Sequence, residues 1–286
     1  MKILKKIKPI LPILICLMGD MQVYAKDALT LGVFPRRNPS ITVEMFSPLV
    51  RYLSDETGIK VQLQTVRDYT RFWGNIKTDK YDIVHFNQLH YVESHEKYGY
   101  KVFAKNEEFG QSTISSALII RTDTGINSLE DLKGKQIIFG GGKKAMIAYI
   151  GVKLLLLEAG LKESDYNTAF ARNPPNSSFA VYFKRAAAGG VGDIAMLVPS
   201  IHEKMDITKL KLLKVGKPQP HLPWAFSSNL DKATSQKIKK AFLNLINKPD
   251  GRKILGSAGL TGLLPAEDSD YDISREILRT YENLKD

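Results

Sequence analysis

Short apolar runs alternate along this chain with stretches in which apolar residues recur at helical spacing. Residues 29–34 are almost wholly apolar and predict a strand, and residues 59–65 predict another after Gly58, a residue type that commonly ends helices. Between these strands the apolar residues recur at helical spacing and predict one face of a helix, formed by Phe46, Leu49, Val50 and Leu53. Together the three elements predict a strand–helix–strand unit.

The rest of the pattern predicts a succession of similar units. The residues from Ser128 to Asp131 predict a single capped helical turn near the start of a second α/β block. Further strands are predicted at 81–86, 101–104, 113–121, 136–139, 168–172, 193–198 and 209–215. Further helices are predicted at 69–77, up to about 98, up to about 158, up to 188, and at 236–246 and 274–284. This alternation predicts an α/β fold.

The first 25 residues follow a different pattern. Lysines before an apolar run at 10–18, and a small-residue cleavage pattern ending at Ala25, are typical of a secretory signal peptide. The run contains Pro12 and ends at Gly19, whereas a transmembrane helix needs about 20 apolar residues. We therefore expect a cleavable signal peptide at 1–25 and an exported protein, with an uncleaved anchor as the alternative.

Composition and charge narrow the choice of partner. The 286 residues are 43% hydrophobic and 25% charged, which excludes disorder and allows one large core or two modest ones. The net charge of +11 falls to +8 when residues 1–25, which contain four lysines and one aspartate, are removed. A basic chain favours nucleic acid, an anionic membrane or a small anion. Cys16 is the single cysteine, so the mature chain forms no disulfide and no thiolate metal site.

Several segments carry a family resemblance: LGVFPRR, SPLVRYLSDETGIKV, YDIVHFNQLHYV, and NSLEDLKGKQIIFG followed by a helix ending in LLLLEAGL. Over nearly all of residues 28–283 the chain resembles the phosphate, phosphite and phosphonate type of periplasmic solute-binding protein. The resemblance implies a class II periplasmic binding protein fold, in which two lobes, each a mostly parallel sheet flanked by helices, are joined by two hinge strands. We expect hinges near 113–120 and 210–218, lobe 1 at 26–115 plus 216–286, and lobe 2 at 116–215.

The resemblance also implies a function. A protein of this type binds a small oxyanion, phosphonate-like or phosphate-like, in the cleft between its lobes and delivers it to a membrane ABC permease. We expect a monomeric periplasmic receptor with no cofactor, no metal site and no catalytic residues. An alternative role uses the same lobes as a sensor, whose ligand-loaded form docks on a membrane kinase or cyclase.

The loops after the first strands contain the first candidate ligand-binding residues. Arg36 and Arg37 follow the first strand, where a guanidinium can hold a phosphonate through two parallel hydrogen bonds. A solvated pair of surface arginines is the alternative. The resemblance places Tyr69, Asn87 and Tyr91 where the family has aromatic and polar cleft residues, with core packing as the alternative.

A glycine-rich turn is the strongest single candidate. Gly141, Gly142, Lys143 and Lys144 lie between a strand and a long helix, where glycine allows close approach of the main chain and a helix start attracts an anion. The family usually has a Ser-Thr-Ser run here, whereas this chain has two lysines and Ala145. The change favours a ligand with more charge or a different shape. Lysines that point into solvent are the alternative.

The second block contributes the remaining candidates. Ser177 and Ser178 open a helix in a region where many members of the family have a ligand-binding Gly-Ser-His, and a simple N-cap is the alternative role for Ser177. Asp193 is predicted to begin the next strand, where the resemblance implies an acceptor for a protonated phosphonate or amine. A hinge-side salt bridge is its alternative. Trp224 and Phe226 either wall the cleft or pack in the core of the first lobe.

Other functional classes have little support. The chain lacks HExxH, GxSxG and P-loop motifs. On one helix His85, His90 and His95 would be rotated by about 140° from one to the next, so they cannot share a metal on one face. The segment 140–145 satisfies the dinucleotide pattern GxGxxA, but the acidic residue downstream, Glu158, lies in the same predicted helix rather than at a strand end. Evenly spread lysines argue against nucleic-acid binding.

Overall fold

The computed structural model describes residues 28–285 and contains two β-sheets, which confirms the α/β fold. The strands are β1 (Leu29–Val33), β2 (Val61–Thr65), β3 (Ile83–His85), β4 (Lys101–Glu107), β5 (Thr113–Arg121), β6 (Gln136–Gly140), β7 (Asn167–Ala171), β8 (Ala188–Gly192), β9 (Leu210–Pro220), β10 (Pro223–Phe226) and β11 (Gly262–Pro265). The first sheet has the order β11-β4-β10-β3-β1-β2, and the second has the order β7-β6-β8-β5-β9. The predicted signal peptide and Cys16 lie outside the described residues.

Helices cover the sheets, and several begin at a side-chain cap. They are α1 (Pro39–Thr57), α2 (Tyr69–Lys77), α3 (Gln88–Tyr98), α4 (Val152–Glu158), α5 (Pro174–Tyr182), α6 (Pro199–His202), α7 (Lys232–Asn244), α8 (Gly251–Ser257) and α9 (Asp272–Leu284). The side chains of Asn38, Asp68 and Asn87 accept main-chain N–H bonds at the starts of α1, α2 and α3. Gly58, with φ 66°, ends α1. Within residues 28–285 no helix is long and apolar enough to cross a membrane.

Both sheets are mixed, where mostly parallel sheets were predicted. Parallel pairing joins β1 to β2 and β3, and β6 to β7 and β8, whereas β10 is antiparallel to β3 and β4. In the second sheet β5, by which the chain enters, is antiparallel to β8 and to β9, by which the chain leaves. Strands β5 and β9 are neighbours, with Thr113 opposite Pro220. The two segments predicted as hinges therefore lie side by side.

Each sheet has its own hydrophobic core. We call the first sheet with α1, α2, α3, α7 and α8 the first lobe, and the second sheet with α4, α5 and α6 the second lobe. Leu53 and Trp224 are fully buried in the first core, and Phe139 and Leu156 in the second. Helix α9 contributes Ile277 to the second core. Assignment of the whole segment 216–286 to the first lobe stays a prediction, and so do the other predicted boundaries.

The segment from 174 to 198 differs from its predicted secondary structure. Helix α5 ends at Tyr182 instead of 188, the strand occupies Ala188–Gly192, and Asp193–Leu197 forms a 3₁₀ helix where a strand was expected. Strand β8 consists of small residues because its neighbours approach closely. A Cβ atom on Gly190 would lie 2.2 Å from the main-chain oxygen of Ala148. Three of the five residues of this strand are glycines and Val191 is its one β-branched residue, so its composition does not identify a strand.

Candidate functional site

A cavity of about 690 Å³ lies between the two lobes. The first lobe lines it with the loop after β1, the start of α3 and the end of β4, and the second lobe with the turn after β6 and the loops after β7 and β8. Most of these segments follow the carboxyl ends of strands, where α/β sheets commonly bind ligands. The topology therefore brings loops that are far apart in the sequence to one cavity.

The turn between β6 and the following helix lines the cavity and contains main-chain N–H groups that have no hydrogen-bond partner among the described residues. Gly141 has φ 117°, which only glycine adopts without strain. No hydrogen bond joins the amides of Gly142, Lys143 or Lys144 to another group in the described part of the chain. The helix then begins with a single π-helical segment, Met146–Gly151, without a side-chain cap. Unpaired N–H groups beside a helix start form an anion-binding arrangement. We call this segment, 140–144, the glycine turn.

The charged side chains around the cavity are mostly basic. Arg36 and Glu108 form an ion pair in the first lobe, with Nη1 of the arginine 3.4 Å from Oε1 of the glutamate. A tight turn positions this arginine, because its N–H donates to the main-chain oxygen of Phe34 at 2.7 Å. The basic lining residues are Arg36, Arg37, Lys143, Lys144 and Arg172. The excess of positive charge favours an anionic ligand.

Glu108 belongs to a buried polar cluster in the wall of the first lobe. Its carboxylate accepts from Asn106 Nδ2 at 3.2 Å and lies 3.8 Å from His221 Nε2. Burial acts to raise the pKa of Glu108, but the charges of Arg36 and His221 and the hydrogen bonds lower it overall, so the group is ionised at neutral pH. Burial lowers the pKa of His221 to about 4, and its Nδ1 accepts the N–H of Leu222 at 2.8 Å.

Eight of the predicted site residues line the cavity: Arg36, Arg37, Tyr69, Asn87, Gly141, Gly142, Lys143 and Lys144. Two of them join the lobes, because Asn87 Nδ2 donates to the main-chain oxygen of Lys144 at 3.3 Å. Lys144 Nζ also lies 3.5 Å from Glu93 Oε2 on α3. Tyr69 packs against the ring of His90, and burial raises its pKa to about 12. The phenol is therefore a neutral hydrogen-bonding group at the cavity wall.

Four other predicted site residues do not line the cavity. Their polar atoms bond to the protein itself: Tyr91 Oη donates to Asp268 Oδ1 at 2.6 Å, Ser177 Oγ to the main-chain oxygen of Ile138 at 2.8 Å, Ser178 Oγ to that of Pro174 at 3.5 Å, and Asp193 Oδ1 accepts the N–H of Ser115 at 3.0 Å. Asp193 thus fastens the loop after β8 to strand β5. These side chains support the cavity walls.

Several cavity residues were not anticipated from the sequence, namely Asn106, Glu108, Phe109, Arg172 and His221. The sequence feature that could have identified some of them is their position at the end of a strand, since Glu108 and Phe109 follow β4 and His221 follows β9. Trp224 and Phe226 pack in the first core, where Trp224 stacks on His85 with ring centroids 4.1 Å apart. Within residues 28–285 no cluster of His, Cys, Asp and Glu has the arrangement of a metal site.

Comparison with known proteins identifies relatives across most of the chain. The sequence profile of the family described as ABC transporter, phosphonate, periplasmic substrate-binding protein matches residues 31–271. The phosphonates-binding periplasmic protein of Escherichia coli is 24% identical over 241 residues, which is 82% of this chain and 71% of that protein. The phosphate-import protein PhnD of Mycolicibacterium smegmatis is 24% identical over 276 residues, 88% of this chain and 85% of that protein.

A solved structure shows the same fold. The protein PhnD1 of Prochlorococcus marinus, in complex with methylphosphonate, superimposes with a TM-score of 0.77 at 18% identity. The alignment covers 90% of this chain and 98% of that one. At this level of identity the likeness concerns the fold alone.

Proposed function

This chain belongs to the family of periplasmic substrate-binding proteins of phosphonate ABC transporters, and we propose that its ligand is a phosphonate-type oxyanion held at the glycine turn. Members of this family bind a transported substrate and are not enzymes. The chain is therefore a periplasmic receptor of an ABC transporter. The methylphosphonate of the Prochlorococcus structure and the phosphate import of the Mycolicibacterium relative support a ligand with a tetrahedral phosphorus oxyanion.

The observation that carries the proposal is the set of donors on opposite sides of one cavity. The second lobe offers the unpaired amides of Gly142, Lys143 and Lys144, and the first lobe offers the guanidinium groups of Arg36 and Arg37. A hydrogen bond to a charged group contributes roughly 1.5–3 kcal/mol net. Micromolar affinity corresponds to about −8 kcal/mol, so a handful of these contacts is sufficient.

The glycine turn also explains how an oxyanion can bind without the family's hydroxyl groups. Main-chain N–H groups remain available at this position although two lysines and Ala145 replace the Ser-Thr-Ser run. Lysine adds a point charge, which attracts any anion and discriminates little between shapes. Closure of the lobes around the ligand removes water from the cavity, and each charged hydrogen bond becomes stronger in the lower dielectric.

We propose that binding of an alkylphosphonate depends on Arg37 and Lys143, and isothermal titration calorimetry tests this. Methylphosphonate and phosphate should bind, and acetate should bind far more weakly. Arg37→Gln and Lys143→Gln should each weaken methylphosphonate binding about tenfold, equal to about 1.4 kcal/mol. Arg51→Gln is the matched control, because Arg51 is exposed on α1 and does not line the cavity. Unchanged affinity in both cavity variants would remove these groups from the site.

The remaining parts of the proposal concern assembly and export. The receptor acts as a monomer that presents its closed, loaded form to the membrane permease, and residues 1–25 are removed during export. Light scattering after gel filtration should give the mass of one mature chain with and without methylphosphonate. Mass spectrometry of protein recovered from the periplasm should place the new N-terminus at Lys26. A dimer, or an intact N-terminus, would contradict the corresponding part.

A further inference from the structure

The cavity is much larger than a phosphonate head group with a methyl substituent requires. Its volume of about 690 Å³ lies within the range of about 300–1,000 Å³ typical of pockets that enclose drug-sized ligands. The lobes already contact each other at Asn87 and Lys144, so this volume belongs to a cleft whose walls touch. An oxyanion at the glycine turn would therefore leave most of the cavity to the rest of the ligand.

The lining outside the glycine turn is largely apolar. Side chains of both lobes contribute to it: Met45, Phe46, Phe109, Ile147, Ile194 and Leu260. Ile147 and Ile194 pack with Ile114 into a small cluster beside the cavity. Phosphonate oxygens gain nothing from such surfaces, because burying a charged group against apolar side chains is unfavourable. The apolar lining is therefore suited to a carbon substituent of the ligand.

Phe109, one of these lining residues, has an unusual backbone conformation. Glu108 and Gln111 exchange two main-chain hydrogen bonds of 3.0 and 2.9 Å, which closes a two-residue turn after β4. Phe109 has φ 53° and Gly110 has φ 74°, the sign required of both central residues in a type I′ turn. Asn-Gly is the preferred sequence for such a turn, and an aromatic residue with positive φ is an outlier.

The turn is held in place, so the strain is not relieved by a small movement. The N–H of Gly110 donates to Thr261 Oγ1 at 3.0 Å, and the same oxygen donates to Glu107 Oε1 at 2.8 Å. The side chain of Phe109 lines the cavity and is 37% exposed. A strained aromatic residue that leaves part of its ring uncovered at a binding cavity points to a role in contacting the ligand.

We propose that the ligand is an organophosphonate whose substituent is apolar and at least as large as an aromatic ring, and that Phe109 packs against this substituent. The inference rests on the proposed function, since it assumes that the oxyanion occupies the glycine turn. It assigns Phe109 as a specificity-determining residue: the turn and the arginines bind the head group, and the ring of Phe109 with the apolar lining selects the substituent.

Calorimetric titration of the mature protein with methylphosphonate and phenylphosphonate tests the inference. The wild-type protein should bind phenylphosphonate at least tenfold more tightly. Phe109→Asn removes the ring and places a residue that favours positive φ in the turn, so the variant should fold with a Tm equal to or above that of the wild type. Its preference for phenylphosphonate over methylphosphonate should fall about tenfold. Phe183→Asn, at an exposed phenylalanine outside the cavity, should leave the preference unchanged.

The results that would contradict these expectations separate a failure of the inference from a failure of the proposed function. If methylphosphonate binds the wild-type protein as tightly as phenylphosphonate does, the large-substituent inference is wrong while the proposed function stands. If phenylphosphonate is preferred and Phe109→Asn keeps that preference, Phe109 is not the selecting residue. If neither phosphonate binds, and phosphate does not bind either, the proposed function fails and the inference fails with it.

Discussion

Lys144 Nζ lies 3.5 Å from Glu93 Oε2, so a residue of the glycine turn in the second lobe is paired with helix α3 of the first lobe. The same ammonium lies 5.4 Å from the ring centroid of Trp73, and the main-chain oxygen of Lys144 accepts from Asn87. Three contacts at one residue therefore join the lobes beside the cavity. The side chain expected from the sequence to face the ligand is used here to hold the lobes together, while its amide remains available to an anion.

The pair of Lys144 and Glu93 should favour the closed arrangement of the lobes, in which ligand is held. Both side chains are partly exposed, so the pair contributes at most about 1 kcal/mol. We expect Glu93→Gln to weaken methylphosphonate binding about two- to fivefold, although Glu93 does not line the cavity. Titration calorimetry on Glu93→Gln, Lys144→Gln and the double variant measures the coupling. Additive effects of the two substitutions would show that the pair does not assist binding.

The conformation of Gly141 provides a second prediction. With φ 117°, and with an added Cβ 3.1 Å from that of Ala145, Gly141→Ala should lower the free energy of unfolding by about 1–3 kcal/mol and weaken oxyanion binding. Gly142→Ala is the matched control, because a Cβ there would meet no atom within 4 Å. Urea unfolding and calorimetry of both variants check this. Equal effects at the two positions would refute the assigned turn geometry.

The buried imidazole of His221 predicts a loss of stability in acid. Its pKa falls from the usual 6.5 to about 4 on folding, because burial disfavours the charged ring. The unfolded chain therefore binds more protons between these values, and the free energy of unfolding should decrease as the pH falls from about 6.5 to about 4, by up to about 3 kcal/mol. The lowered pKa of Glu108 acts in the same direction, with its contribution lost at lower pH.

Urea unfolding at several pH values measures this dependence. His221→Asn should make the decrease between pH 6.5 and 4 smaller without abolishing it, because burial also lowers the pKa of His85 and His90. If His221→Asn has the same pH dependence as the wild-type protein, the imidazole is not the group responsible.

Local patterns in the sequence predict local structure well in this protein. Helix α2 has the predicted bounds, Tyr69–Lys77, because Asp68 caps its start and the apolar spacing continues to its end. The pattern fails at Ala188–Gly192, where tertiary contacts require glycine and alanine in a buried strand. The strand was expected at 193–198 instead, because the atoms that exclude larger side chains from 188–192 belong to segments distant in the sequence.

The residues of the candidate site also fall into those that the sequence predicts and those that it does not. Arg36 and the glycine turn directly follow predicted strands, so their place at the cavity can be predicted from the sequence. The cluster of Asn106, Glu108 and His221 depends on the return of the chain after β9, which sets His221 beside residues that are remote in the sequence. The pairing of Lys144 with Glu93 depends equally on how the lobes meet.

The structure of the complex with methylphosphonate tests the central claim most directly. We predict phosphonate oxygens within about 2.7–3.2 Å of the main-chain nitrogens of Gly142, Lys143 or Lys144, with a guanidinium of Arg36 or Arg37 on the opposite side. A phosphonate bound elsewhere in the cavity, with the amides of the glycine turn facing water or bonded to their own chain, would contradict the account.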